Sequence, residues 1–356
     1  MSRRRRPAHA GGFFRRAFLL VLVAAVLAGG WCWLRYRSFA DAPLAGIEAG
    51  DRLVVRRGDS LGSVLRTLED AGIATGERVQ WQVLARELGA AGKLQAGEYA
   101  LDPGTSPRGL LLAMRDGKTV RRMFTIVEGW NIRELRTALA KVDELEHATT
   151  ALDDAALMRA LGHPGQHPEG RFLPETYAWL RGDSDLDLLR RAHAAMAKAL
   201  DAAWATRAPD VPLKSKQEAL VLASIVEKET GIAEERPAIA GVFARRLEIG
   251  MRLQTDPTVI YGIGAAYTGN IRRSDLTTDT PYNTYTRNGL PPTPIAMPGK
   301  AALQAATHPL PGDALFFVAV GDGSGRHVFS ASLAEHNAAV RQYLQRYRAQ
   351  PQAAPK

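Results

Sequence analysis

The longest apolar run lies at the start of the chain, where residues 17–34 contain no charged side chain. As a helix, this run would reach about 27 Å at 1.5 Å per residue, close to the roughly 30 Å of a bilayer core. Trp31, Trp33 and Tyr36 close it, where amphipathic rings favour the membrane interface. A transmembrane helix over 17–37 is expected; a signal peptide cleaved near Ala40-Asp41-Ala42 is the alternative. Small residues at 38–50 read as a flexible linker. Arg52-Leu-Val-Val-Arg56 is β-prone. Leu61, Val64, Leu65 and Leu68 then recur at i, i+3, i+4 and i+7, predicting a helix that Asp59 or Ser60 starts and Gly72 ends. A second helix carries Val79, Val83 and Leu84, and residues 93–101 read as a returning strand. Residues 120–127 form a further expected strand, and Asn131 caps a helix through Ile132, Leu135 and Leu139. Short helices and irregular chain fill 141–168, residues 169–177 make a structured turn, and a long helix runs over about 186–205.

The segment 216–261 carries the chemistry. In QEALVLASIVEKET (217–230), Leu222, Ile225, Val226 and Glu229 share one helical face at 100° per residue. Glu229 thus falls on the centre of the large-apolar stripe. Glu227 points elsewhere, beside Leu220 and Ala223, and Lys228 lies on a polar flank. A carboxylate on an apolar face is costly unless paired or protonated. Desolvation raises its pKa, which suits a general acid near neutrality. A stripe that simply ends at a surface glutamate is the alternative. Gly231 ends this helix. Glu234, Glu235 and Pro237 open the next, with Ile239, Val242, Phe243 and Leu247 on its buried face and Gly250 at its close. Gln254, Thr255 and Asp256 follow on a Pro-bearing turn. Tyr282, Asn283 and Tyr285 lie on a loop that continues into Gly289-Leu-Pro-Pro292. Such rings can stack on pyranose faces, and such amides can bond hydroxyl and acetamido groups. A rigid loop with a capping Asn and packed tyrosines is the alternative.

Composition narrows the class. With 356 residues, 46% hydrophobic and 23% charged, the chain is neither wholly disordered nor a polytopic membrane protein. The net charge of +9 would suggest a nucleic-acid binder, but residues 1–38 carry eight arginines and no acid. The remainder holds 38 basic and 37 acidic side chains, so no nucleic-acid partner is expected. The positive-inside rule puts residues 1–16 in the cytoplasm and the bulk of the chain outside. The single cysteine, Cys32, lies in the apolar run, leaving no thiol for a disulfide, a zinc knuckle or a nucleophile in the exported part. His163 and His167 flank Pro164, Gly165 and Pro168 and have no clustered partner, so no metal is expected. Gly262-x-Gly264 lacks the third glycine of a dinucleotide motif.

Two resemblances organise these readings. The strand, the GDSL turn, the helices and the returning L-x-x-G-x-Y-x-L strand resemble a LysM module, a small sugar-binding β-α-α-β fold; a small spacing domain is the alternative. Over nearly the whole chain the sequence resembles the MltG (YceG-like) family of endolytic murein transglycosylases. The match rests on LASIVEKET (222–230), RLEIGMRLQTDPTVIYG (246–262), TPYNTY (280–285), GLPP (289–292) and HVFSASLAEHN (327–337). The family pattern GLPPGPIANPG is changed here at Thr293 and Met297.

The resemblance implies an α+β protein with a single N-terminal transmembrane helix, a small LysM-like β-α-α-β domain and a larger mixed α+β catalytic domain. The expected segments are a cytoplasmic arm (1–16), the membrane helix (17–37), the linker (38–50), the LysM-like domain (51–119), the catalytic domain (120–345) and a flexible tail (346–356). It implies cleavage of the β-1,4 bond between N-acetylmuramic acid and N-acetylglucosamine, leaving a 1,6-anhydro end without using water. Glu229 would be the acid, because Glu229-Thr230 matches a helix-end Glu followed by a hydroxyl residue. Gln254, Asp256, Tyr282, Asn283 and Tyr285 would contact substrate, with Glu227, Thr230 and Arg252 in support. No cofactor or metal is implied. The expected partners are peptidoglycan glycan strands, the inner membrane and peptidoglycan synthases. A muramidase-type hydrolase using Asp256 as a second carboxylate and a non-catalytic wall-binding scaffold are the competing readings.

Overall fold

The computed structural model describes residues 10–349. Residues 1–9 of the expected cytoplasmic arm and 350–356 of the expected tail lie outside them. The chain divides into two compact units, one through Arg122 and one from Met123; the sequence places this boundary after 119.

The first unit opens with helix α1 (Ala10–Asp41), whose span Arg15–Asp41 is long and apolar enough to cross a membrane. Strand β1 (Arg52–Val55), helices α2 (Leu61–Asp70) and α3 (Arg78–Glu87) and strand β2 (Gly97–Ala100) follow in the expected β-α-α-β order. β1 and β2 pair antiparallel, Leu53 opposite Tyr99. Ser60 and Ser63 form a capping box at the start of α2, satisfying amides that the first helical turn leaves unpaired. The helix then buries Val64, Leu65 and Leu68 against Leu53, Trp81, Leu84 and Tyr99.

Two features depart from expectation. Residues 38–50 are not a flexible linker: α1 continues to Asp41, and Ala40, Leu44 and Ile47 are buried in the unit's core. The Phe39 ring meets Trp81 edge-on at 5.7 Å, and Ala45 bridges Ala74. The apolar positions that look like spacer have a core to enter. The second departure is a further helix, α4 (Pro107–Asp116), beyond those expected. Ser106 caps it, Gly117 closes it with φ 65°, and it buries Leu110, Leu111 and Met114.

The second unit contains β3 (Arg122–Thr125), α5 (Ile132–Leu139), α6 (Asp154–Ala160), β4 (Thr176–Trp179), α7 (Asp185–Ala205), α8 (Lys216–Glu229) and α9 (Arg236–Glu248). It continues with α10 (Asp256–Ile263), α11 (Arg273–Thr277), α12 (Lys300–Thr307), β5 (Phe316–Ala319), β6 (His327–Ser330) and α13 (Leu333–Ala349). Its strands make only two-stranded sheets among the described residues, β3 with β4 and β5 with β6. Asn131 caps α5 as the pattern predicts, and Glu134 completes a capping box there. The expected tail begins as helix, because α13 runs to Ala349.

The organising element is α8. Every residue from Ala219 to Val226 is at most 2% exposed. Helices α7, α9, α10 and α12 pack around it. The expected one-sided stripe is therefore corrected. A helix that is apolar on all sides is a core helix, and each large side chain buried there contributes roughly 1.5–3 kcal/mol. Ser224, the polar residue inside this run, donates to Val221 O (2.7 Å) and accepts from Ile295 N (3.0 Å). The helix is thus held from every side, and its last turn delivers two carboxylates in different directions.

Candidate active site

Helix α8 stops at Glu229. Thr230 turns the chain: its backbone is extended, and its buried hydroxyl accepts from Ile232 N at 3.0 Å. That bond makes Thr230 part of the turn and takes it out of the cleft. Glu229 itself forms the floor of a cleft of about 390 Å³. Leu253, Gln254, Thr255, Asp256 and Tyr285 line it from the segments that follow α9 and α11, and Arg246, Phe316, Phe317, Leu333 and His336 from α9, β5 and α13. The structure therefore brings together four expected residues that lie up to 56 positions apart, Glu229, Gln254, Asp256 and Tyr285.

Burial pushes the Glu229 carboxyl up to about 7. The negative charge of Asp256 adds to the rise. A hydrogen bond donated by the Thr255 hydroxyl opposes it, as do the Arg246 and His327 side chains. The Glu229 carboxyl can therefore hold a proton close to neutrality. Asp256 differs: it is exposed, and its Oδ1 accepts from the Tyr285 hydroxyl at 2.6 Å. Burial and Asp256 together push the Tyr285 hydroxyl well above its ordinary value, so it remains a donor. Asp256 also opens α10 rather than sitting on a turn; Pro257, with its fixed φ, starts the helix there.

Glu227 has another role. Its carboxylate accepts from Gly299 N (2.8 Å) and pairs with Arg236 (2.9 Å), away from the cleft. Arg252 lies behind the polar wall, donating to Tyr285 O (2.9 Å) and Asn288 Oδ1 (3.3 Å) and so joining the two segments that form it.

Asn283 and Tyr282 are corrections. Asn283 is 1% exposed, and its amide is fully engaged: Nδ2 donates to the carbonyls of Asp275, Leu276 and Thr278, and Oδ1 accepts from Tyr285 N. It shapes the loop and has no free amide to offer a sugar. Tyr282 turns inward against Tyr261, ring centroids 4.8 Å apart, and its hydroxyl lies 2.8 Å from Thr293 Oγ1. Thr293, a departure from the family loop, therefore has a partner. Met297, the other departure, is buried among Ile132, Leu135 and Phe172.

The sequence does not point to the lining from α9, β5 and α13. The Arg246 guanidinium is anchored by the carbonyls of Leu253 (2.6 Å) and Leu315 (2.7 Å) and lies 5.3 Å from the Phe316 ring. His336 stacks on Phe316 at 5.2 Å, and burial with the Arg246 charge lowers its pKa. Leu333 and His336 stand three apart at the start of α13, so an i, i+3 reading of HVFSASLAEHN is the available signal.

A second shifted acid lies away from the cleft. Glu169 is completely buried and pushed up to about 7 by that burial. It accepts from Ile132 N at 3.1 Å and from the Tyr261 hydroxyl at 3.0 Å. Among the described residues, no three His, Cys, Asp or Glu side chains are grouped to hold a metal ion. His163 instead stacks on His193 at 3.9 Å.

Comparison with known proteins adds to this geometry. The YceG-like family pattern matches residues 53–342. An endolytic murein transglycosylase of Bacillus subtilis (strain 168) is 31% identical over 308 residues, covering 81% of this chain and 83% of that protein. One from Streptococcus pneumoniae (strain D39) is 28% identical over 343 residues, 84% of this chain but only 60% of that longer protein. A 2.6 Å crystal structure of a YceG-like protein from Listeria monocytogenes matches with a TM-score of 0.50 at 28% identity, covering 82% of this chain and 99% of that one.

Proposed function

The chain belongs to the YceG-like family, and from that premise we propose that it is a lytic murein transglycosylase with Glu229 as its acid. The observation that carries this reading is one carboxyl near pH 7 on the floor of an open cleft, with a neutral donor beside it. In the reaction, protonated Glu229 gives its proton to the glycosidic oxygen as the bond from C1 of N-acetylmuramic acid to O4 of N-acetylglucosamine breaks. The same carboxylate then takes the proton of the muramyl C6 hydroxyl while O6 bonds to C1. Proton and bond count balance, no water enters, and Glu229 ends protonated. One carboxyl suffices because the nucleophile belongs to the substrate and attacks intramolecularly. Asp256 stabilises positive charge developing at C1, fixed in place by Tyr285. Gln254 is exposed at the rim, where it can bond an acetamido group.

The anchor would be α1, single-pass in the inner membrane, with a cytoplasmic N-terminus and the catalytic second unit in the periplasm. The apolar length of α1 and the arginines before it support that placement. The β-α-α-β order of the first unit supports a LysM-like, glycan-contacting module. Its substrate would be nascent glycan, with peptidoglycan synthases as partners and the cut ending strand elongation. The competing hydrolase reading draws on Asp256 lining the same cleft.

Mass analysis of peptidoglycan treated with the detergent-solubilised full chain tests these readings. Anhydro-muramyl ends from wild type and none from Glu229→Gln are expected. Reducing ends would favour the hydrolase, and anhydro ends persisting in Glu229→Gln would remove the acid role from that residue.

A further inference from the structure

The wall segment bearing Gln254 and Asp256 is held by three threonines, Thr255, Thr258 and Thr284, each at most 2% exposed. Their polar groups close a ring. Thr255 N donates to Thr284 Oγ1 (3.0 Å), Thr284 and Thr258 hydroxyls lie 2.9 Å apart, and Thr258 Oγ1 donates to Thr255 O (2.7 Å). Gln254 N donates to Thr284 O at 3.2 Å beside it. Gln254 is also the only non-glycine with positive φ, 50°, among the described residues. A left-handed side-chain-bearing residue is strained and persists only where its surroundings fix it. The ring supplies that constraint. Its outward product is the Thr255 hydroxyl, which donates to Glu229 Oε1.

We propose that Thr255 is a positioning residue for this reaction: its hydroxyl holds the Glu229 side chain on the cleft floor and stabilises the carboxylate left when the proton moves to the glycosidic oxygen, while Thr258 and Thr284 lock its backbone. The inference rests on Glu229 being the acid. The charged or titratable groups around Glu229 are Asp256 on α10, Tyr285 on the following loop, Arg246 on α9, His327 on β6 and His336 on α13. Among the described residues, Thr255 is the one that donates to the Glu229 carboxyl, and it does so without contributing a charge. It can turn to accept from protonated Glu229 and to donate to the carboxylate, so one side chain serves both halves of the cycle.

Steady-state cleavage by the full chain in detergent, followed across pH, tests the proposal with Thr255→Val, Thr255→Ser and Glu229→Gln. Thr255→Val is expected to lower kcat by about ten- to a hundredfold, the worth of a hydrogen bond to a charged group, with little change in KM. Its alkaline limb should move to higher pH, because the lost donor stabilised the charged form. Thr255→Ser should restore both. A merely structural role would not move the limb. Thr255→Ala, assayed below its melting point against Thr255→Ser, makes the same comparison if the valine variant folds poorly. If Glu229→Gln is inactive while Thr255→Val keeps wild-type kcat and limb, this proposal alone falls. It falls equally if Thr255→Ser is as impaired as Thr255→Val. If Glu229→Gln still makes anhydro ends, the acid assignment fails and this inference fails with it.

Discussion

Two glutamates of the second unit undergo the same shift in different surroundings. Burial pushes both Glu229 and Glu169 up to about 7. Around Glu169 the protein closes completely: an amide from the first turn of α5 and the Tyr261 hydroxyl take its oxygens, and no surface remains. Around Glu229 one side stays open to a cleft, and the hydroxyl that meets it can reverse its role. A raised pKa therefore marks desolvation, not catalysis. Access separates the two, because only an acid that can touch a leaving group can protonate it. Glu227, two residues from Glu229 on the same helix, makes the point from the other side. It faces Arg236 and the Gly299 amide, which hold its position as an internal tie.

The contrast is broken or kept most directly by amide substitution. Glu229→Gln is expected to lower the rate of anhydro-end formation by about 10²- to 10⁴-fold, the usual range for a general acid–base group, with little loss of stability. Glu169→Gln should keep activity within a fewfold. The assay is product mass analysis beside thermal unfolding of the full chain. Comparable rate losses in both variants would refute the division between an open and a closed acid. In wild type, kcat/KM should fall above about pH 7, as Glu229 loses the proton it must donate.

Stability against pH sharpens the comparison next. Between the ordinary carboxyl value of 4.5 and about 7, folded Glu169 keeps a proton that the unfolded chain releases. Its contribution is fully present below the lower value and lost as pH rises through the upper one. The linked change is about 3 kcal/mol. Glu169→Gln cannot titrate, so its stability relative to wild type should improve from pH 5 to pH 8 by roughly that amount. Denaturant unfolding at the two pH values measures it, and a pH-independent difference would mean that Glu169 is already ionised in the fold.

What can be read in the sequence follows the range of the interactions. The helix caps at Ser60 and Asn131, the β-α-α-β order and the α8–α9 hairpin are local, and their residues announce them. Periodicity singles out Glu229 as a stripe carboxylate, whereas α8 is enclosed on every side, and its last turn places the Glu229 side chain in the cleft. The wall of Arg246, Phe316, Leu333 and His336 joins α9 to β5 and α13 across a gap of about ninety residues, which no period encodes. Asn283 and Tyr282 mislead because an amide and a ring that suit a sugar suit a loop interior equally well. Only their partners, three carbonyls for one and Tyr261 with Thr293 for the other, reveal which use the fold makes of them.

Tyr285 and Tyr282 offer the finer tests. Tyr285→Phe removes the donor to Asp256 and should cost about three- to tenfold in kcat, with KM nearly unchanged, because Asp256 keeps its charge but not its fixed position. Thr293→Gly, which restores the family residue, should have the smallest effect. It removes the partner of the Tyr282 hydroxyl, a loss of about 0.5–1.5 kcal/mol or a few degrees in Tm. Its path into the structure runs from Tyr282 to Tyr261 and so to Glu169, the closed side of the comparison. Activity should therefore stay near wild type while Tm falls. A fall in kcat without a fall in Tm would mean that the Tyr282 ring reaches substrate after all, and that the two acids share a wall the fold keeps separate.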